Sequence, residues 1–188
     1  MVEAQRRRRS DGQRNRARLL DTAGRLFLER GPDVSFVEIA KEAGVGVGTI
    51  YRHFPTREEL IGAVYRSELD AVCDAADELL ATVPPQEALR TWMARFVDYM
   101  TTKIGLQDAI AVVVAKGGDP FADSHSRQKV AIGSLMAATA EARVTRPEVE
   151  PDDVLLALAG IAIAAGAADG PEQTTRMIDL LYAGTLVR

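Results

Sequence analysis

Apolar residues recur at helical spacing along most of the 188-residue chain, in blocks separated by Gly and Pro. Leu19, Ala23, Leu26 and Phe27 form the stripe of a first helix, Asn15 to Arg30, which Gly31-Pro32 ends. Phe36, Ile39, Ala40 and Ala43 form the stripe of a second. Ser35, with Glu38 three residues on, is a capping box in which each side chain accepts an orphan backbone N–H at the other residue. Val34 and Ile39 stand where a hydrophobic staple closes. Gly44 follows, a residue that tolerates positive φ, with Val45 as the apolar plug of the turn. Ile50 and Phe54, four apart, are the buried side of a short third helix, so Thr49, Tyr51, Arg52 and His53 point elsewhere. Pro55-Thr56 separates it from a long fourth helix that reaches about Ala81. Thr56 and Glu59 open that helix as a second capping box, and Leu60, Ala63, Val64, Ser67 and Ala71 keep its helical period.

The second half continues the pattern. Val83-Pro84-Pro85 breaks the chain, and Gln86–Thr102 is a helix with Leu89, Trp92, Met93, Phe96, Tyr99 and Met100 on one wide face. Gly105 breaks it again. Leu106–Lys116 is a short apolar helix, Gly117-Gly118-Asp119-Pro120 a turn, and a helix from about Ala122 to Arg143 carries Val130, Gly133, Leu135 and Met136. A polar linker, 144–150, precedes two last helices, Asp152–Ala168 and Glu172–Val187. Pro151 and Pro171 sit near their starts, where a missing N–H costs least. No strand pattern or internal repeat appears. The expectation is an all-α chain of about nine helices: an N-terminal three-helix helix-turn-helix domain, then a C-terminal helical domain. In residues, this is a disordered basic arm over 1–12, a helix-turn-helix domain over 13–72 with its motif at 35–54, and the C-terminal domain over 73–188.

Composition changes this picture little; charge changes it more. Hydrophobic residues make up 47% of the chain, enough to bury a core, and the single Cys73 excludes an intrachain disulfide and points to a reducing compartment. The longest apolar run, Val154–Ala168, is too short to span a bilayer, and no apolar segment stands near the N-terminus. A cytoplasmic protein without membrane contact is expected. The net charge of −4 argues against a nucleic-acid partner until it is divided. Up to Glu58 there are twelve Lys/Arg against eight Asp/Glu; beyond it, eleven against nineteen. A basic first third on an acidic body is the asymmetry of a chain that binds DNA at one end. Arg6, Arg7, Arg8 and Arg9 lie in a polar tail, which is a solvated segment or an arm laid along phosphates or into a minor groove.

AKEAGVGVGTIYRHFPTREELI resembles the signature of the TetR/AcrR family of bacterial transcriptional regulators, approximately I-A-x-x-A-G-V-S-x-G-T-[LI]-Y-x-[HY]-F-x-[ST]-K-E-x-L. Gly48, Thr49, Tyr51, His53, Phe54, Glu58 and Leu60 meet it. Two positions depart: Gly46 stands for the usual Ser and loses a hydroxyl cap, and Arg57 stands for the usual Lys and keeps the charge. The likeness covers the first third closely; the remainder is more loosely similar to the SbtR-like type of C-terminal domain. The resemblance implies a DNA-binding transcription regulator, a ligand-released repressor that binds a palindromic, inverted-repeat operator as a homodimer. Effector bound in the C-terminal domain would favour a dimer whose recognition helices no longer match two half-sites.

On that reading Val47, Gly48 and Thr49 lie deepest in the major groove. Thr49 can bond a base edge or phosphate, and Val47 can touch a thymine methyl. Val37, on the preceding helix, offers apolar contact only. Tyr51 and His53 are phosphate ligands, or a packed ring and a helix-end cap. Arg52 is a bidentate guanine contact or a solvated side chain. Arg14, Arg16 and Arg18 can meet phosphates from the first helix, Arg57 reaches the backbone, and Ser35 and Gly46 complete the candidate DNA-binding set.

Trp92, Phe96 and Tyr99 form a stripe that is plain core or the wall of a ligand pocket with Met93, Met100, Phe121, His125 and Met136. The resemblance implies a pocket for a small-molecule effector without locating it. Val154–Ala168 is apolar all round, which suits a subunit interface. Leu156, Gly160, Ala164 and Ala168, with Met177, Leu180, Leu181 and Gly184 of the last helix, would build it with a second copy. Catalysis, a metal and a cofactor are not expected. Gly44–Gly48 lacks the strand and crossover of a dinucleotide loop, and no Cys/His/carboxylate cluster or nucleophile set assembles. Two rival classes stand beside the regulator. One is a helical enzyme or small-molecule or lipid carrier. The other is an architectural adaptor that turns the helix-turn-helix to protein contact.

Overall fold

The computed structural model describes residues 2–115, 117, 121, 123–165 and 170–187, with side chains from residue 11 onward. Nine helices occur among the described residues: α1 (Val2–Arg30), α2 (Phe36–Glu42), α3 (Val47–His53), α4 (Arg57–Thr82), α5 (Pro85–Gly105), α6 (Gln107–Ala115), α7 (Ser124–Glu141), α8 (Pro151–Ala165) and α9 (Pro171–Thr185). The all-α expectation holds. The one extended pairing among these residues is an isolated antiparallel bridge between Thr145 and Leu186.

The main difference from the sequence pattern is at the N-terminus. Helix α1 begins at Val2, not near Asn15, so the segment expected as a disordered arm over 1–12 has helical backbone from residue 2. The stretch before Asn15 has no Pro and a single Gly, and its Glu, Ala, Gln and Arg are good helix formers. Once the buried stripe has nucleated the helix, each further residue adds one hydrogen bond without a new nucleation cost. At the other end α9 stops at Thr185, earlier than the apolar pattern suggests, while α8 is described to Ala165. The expected turn at 118–120, like Ala168, lies outside the described residues.

The chain divides into two compact units, Met1–Glu68 with Gly105–Pro120 and Leu69–Ile104 with Phe121–Arg188. Helix α4 starts in the first and ends in the second. In the first unit α1 packs on α2 and α3, and α2 on α3. Leu19, Ala23, Leu26, Phe27, Ile39 and Ile50 form a core from which water is nearly excluded. In the second unit α7 packs on α8 and α8 on α9. Trp92, Met93, Phe96, Leu89, Ile132, Leu135 and Leu158 are fully buried there. The Trp92 indole N–H, which needs a partner once buried, donates to the Val72 carbonyl at 2.8 Å. The loop after α7 is laced to the end of α9. Arg146 N–H donates to Thr185 O at 2.9 Å, Val187 N–H to Val144 O at 2.9 Å, and the Thr139 and Thr145 hydroxyls share a buried hydrogen bond of 2.8 Å.

Candidate functional site

The helix-turn-helix is held from both ends. At the start of α2 the capping box is complete. Ser35 Oγ accepts the Glu38 N–H at 3.2 Å, while the Glu38 carboxylate accepts the Ser35 N–H at 3.0 Å and its hydroxyl at 2.6 Å. These donors hold the Glu38 carboxyl below the ordinary glutamate range. At the other end Gly44 has φ +64, where a Cβ is strained. A Cβ there would also lie 3.1 Å from Arg18 Nη2. That guanidinium donates to the carbonyls of Ala43 and Gly44, the exposed C-terminal end of α2, where a positive charge is favoured. Val45, expected as the plug of the turn, is half-buried.

Arg57 makes the second clamp. Its guanidinium donates to the carbonyls of Pro32, Asp33 (2.9 Å) and Val34 (2.9 Å), tying the first turn of α4 to the α1–α2 loop. The expected reach of Arg57 to a DNA backbone is therefore not the arrangement seen. A planar fork with five donors fits three neighbouring carbonyls better than solvent. Arg18 likewise bonds carbonyls of the domain, although the residue itself is exposed.

The outward surface mixes charged side chains with three large apolar or aromatic ones. Val37 on α2 is 56% exposed, Val47 at the start of α3 is 38% exposed, and Tyr51 is 53% exposed. Gly46 caps α3 with no side-chain hydrogen bond, in keeping with the missing hydroxyl. The Tyr51 ring rests on Phe36, centroids 5.0 Å apart, so the phenol projects from a braced ring. The ring of Tyr51 therefore packs within the domain while the residue stays about half exposed. His53 lies against Phe54 with centroids 6.1 Å apart, and the Arg16 guanidinium carbon is 5.4 Å from the Phe54 ring centre. Arg52 folds back along α3, its Nε donating to Gly48 O at 3.0 Å. Arg14 reaches Asp11 at 3.4 Å. Thr49 is half-buried, its N–H donating to Gly46 O at 2.7 Å.

The second unit holds a cavity of about 340 Å³ lined by residues of α5, α7 and α8 and by Phe121. Phe96, Met100, Phe121 and His125, four of the eight residues expected in a pocket, line it. Trp92, Met93, Tyr99 and Met136 do not; they are buried in the core. The helical stripe therefore divides between core and wall. Lys103, Gln128, Asp152, Leu155 and Ala159 complete much of the wall and were not foreseen, because they come from three helices whose relative placement no local pattern states. Gln128 donates to the Tyr99 hydroxyl at 3.2 Å, and Lys103 Nζ lies 4.9 Å from the Phe121 ring centre. Asp152 pairs with Lys129 through one oxygen; the other lies 3.5 Å from His125 Nε2.

Helix α8 is not buried all round. Val154, Leu155, Leu158, Ile161 and Ala162 face the core, while Leu156 (75% exposed) and Ile163 (67%) face out with Gly160. On α9, Leu180 is 74% exposed and Gly184 is also open; Met177, Leu181 and Ala164 are half-buried. Ile163 was missed because the apolar run marks no boundary between its two faces.

A short helix presented by a capped partner across a glycine turn defines a helix-turn-helix reading head on a helical body. The comparisons agree. Residues 19–64 match the family model described as bacterial regulatory proteins, tetR family, and residues 84–186 match that of the SbtR-like transcriptional regulator C-terminal domain. The chain belongs to the TetR family of transcriptional regulators. Among solved structures it is similar to the TetR transcriptional regulator SCO0520 from Streptomyces coelicolor, with 47% identity, 91% of this chain and 98% of that one covered, and a TM-score of 0.87. It is also similar to a TetR transcription regulatory protein from Mycobacterium vanbaalenii, with 32% identity, 95% and 99% covered, and a TM-score of 0.77. An HTH-type transcriptional regulator of Staphylococcus aureus strain MRSA252 is 34% identical over 104 residues, 52% of this chain and 54% of that one. The chain spans about half the length of that curated relative and 34% of the next ones. These relatives are named as regulators, not as enzymes. No helix of the described residues is long and apolar enough to cross a membrane.

Proposed function

We propose that the chain is a dimeric, cytoplasmic, ligand-responsive repressor that binds an inverted-repeat DNA operator. The observation that carries this reading is the braced head: α2 held by the capping box and the Arg18 clamp, the loop before it by Arg57, and α3 packed on α1 and α2, with Val37, Val47, Gly48 and Tyr51 turned outward. The helix-turn-helix domain over 13–72 supplies DNA contact, through Tyr51 and His53 to phosphates and Val47, Gly48 and Thr49 to bases. Arg14, Arg16 and Arg52 add charge at its edges. The body over 73–188 supplies dimerisation and effector binding. Two copies meet on the outward strip of Leu156, Gly160, Ile163 and Leu180, whose exposure in a single chain is otherwise a cost. A small molecule with an apolar body and a polar group fits the α5–α7–α8 cavity, and it lowers DNA affinity by as much as it prefers the DNA-incompetent dimer.

The test is fluorescence anisotropy with duplexes selected from a random pool, measured across salt. Specific binding with a steep salt slope is expected. Tyr51→Phe and His53→Ala should each weaken it while the dimer stays folded. Unchanged affinity in both variants at matched salt would overturn the roles given to these residues. An operator-independent complex with protein would favour the adaptor reading.

A further inference from the structure

We infer that this head reads its operator chiefly through thymine methyl groups, with Val37 and Val47 as the specificity-determining contacts. The inference rests on the DNA-binding reading above and goes beyond it by naming the base chemistry. It starts from the hydrogen-bonding side chains near the outward surface that the head itself engages. Ser35 Oγ and the Glu38 carboxylate are locked to each other. Arg18 and Arg57 each donate to two or more carbonyls within the head. Arg52 is drawn back onto Gly48 O through Nε. Gly46 and Gly48 have no side chain, and a Cβ at Gly48 would meet nothing within 4 Å, so DNA can approach the α3 backbone closely there.

The exposed apolar side chains of α2 and of the first turn of α3 are two valines, 56% and 38% exposed. Valine can neither donate nor accept. In the major groove the one apolar feature that distinguishes a base is the C5-methyl of thymine. Two open valines beside a glycine gap therefore favour positions where thymine places that methyl, and they gain no such contact at cytosine, whose C5 edge carries none. The basic surplus of this end of the chain brings the surface to the duplex without itself favouring any sequence.

The experiment uses the full chain and the tightest duplex selected from a random pool. Each thymine is replaced in turn by uracil, which pairs identically and lacks only the methyl. One buried methyl corresponds to roughly a four-fold loss at one position, and to about sixteen-fold when the symmetric positions of both half-sites are changed together. One or two such positions per half-site are expected. At each, the loss should vanish in Val37→Ala or in Val47→Ala, according to which residue meets that methyl. Circular dichroism checks that both variants keep wild-type helix content. A selected site with no uracil-sensitive position overturns the inference while leaving DNA binding intact. Uracil effects that are equal in wild type and both valine variants also overturn it. Recovery of no duplex above non-specific affinity overturns the DNA-binding reading itself, and this inference with it.

Discussion

The α8–α9 strip makes opposite predictions for the protomer and the dimer, and Gly160→Glu separates them. In the single chain a Cβ at 160 meets nothing within 4 Å, and the position is exposed. Glutamate has room there. It also replaces a poor helix former inside α8, worth roughly half a kcal/mol to the protomer. In a dimer closed on this strip the same position is a close helix contact. Leu156, Ile163 and Leu180 are two-thirds to three-quarters exposed. Their burial contributes about 1–2 kcal/mol each, and the twofold repeats it. Against this stands an association cost of roughly 4–15 kcal/mol, so the interface has little margin. Overpacking costs about 1–3 kcal/mol per site, counted in both subunits, which is roughly a thirty-fold to ten-thousand-fold weaker dimer before the buried carboxylates are counted. Light scattering and sedimentation at micromolar concentration should show a wild-type dimer and a variant shifted to monomer with unchanged helix content. Operator binding should fall with it, since one half-site supplies only part of the contact energy. A variant that stays dimeric and binds the operator as wild type does would place the interface elsewhere. A wild type that is monomeric at micromolar concentration would refute the paired half-site mechanism.

Other outcomes follow from the head. Arg57→Ala removes a charged clamp on three carbonyls and should cost about 1.5–3 kcal/mol, read as a lower urea midpoint; Arg57→Lys should recover only part, because an ammonium cannot span the three acceptors. Ser35→Ala should cost about 0.5–2 kcal/mol and should also change the pH dependence. The native Glu38 carboxyl is lowered by its Ser35 hydrogen bonds, so its contribution is present above the ordinary glutamate value and disappears as pH falls through the lower native one. Midpoints measured from pH 6 to pH 3 should draw closer for wild type and variant at the acid end without meeting, because the Glu38 N–H to Ser35 Oγ bond does not titrate, and parallel curves would contradict the box as the source. Deleting residues 1–9 should reduce the slope of log affinity against log salt by about 0.9 for every phosphate that the arm neutralises, and an unchanged slope would show that Arg6 to Arg9 neutralise none.

The head was legible in the sequence because its determinants are local. A capping box spans four residues, and a positive-φ glycine announces itself by identity. Arg18 and Arg57 were not legible as clamps. Their acceptors are carbonyls 23 to 26 residues away in the chain, and a surface arginine in a basic segment looks the same whether it meets phosphate or backbone. The pocket stripe was half legible for a related reason. Trp92, Phe96 and Tyr99 share one face of α5, but only contact with α7 and α8 decides which of them borders open space. The apolar run of α8 announced burial without saying that Leu156, Gly160 and Ile163 stay exposed in the single chain.

The two positions that depart from the family signature act on opposite ends of the reading unit. Arg57 fastens the loop that leads into α2. Gly46 leaves the leading turn of α3 without a side-chain cap, and with Gly48 it flanks Val47 by two residues of high backbone freedom. The loop before α2 is tied at three carbonyls, while two glycines lower the cost of bending the leading turn of α3. A compliant tip must lose that freedom when it enters a groove, so each operator is bound less tightly than a stiff tip of the same contacts would allow. In return, the tip can follow half-sites that differ in groove width, so a single copy of this head is suited to a set of related operators rather than to one.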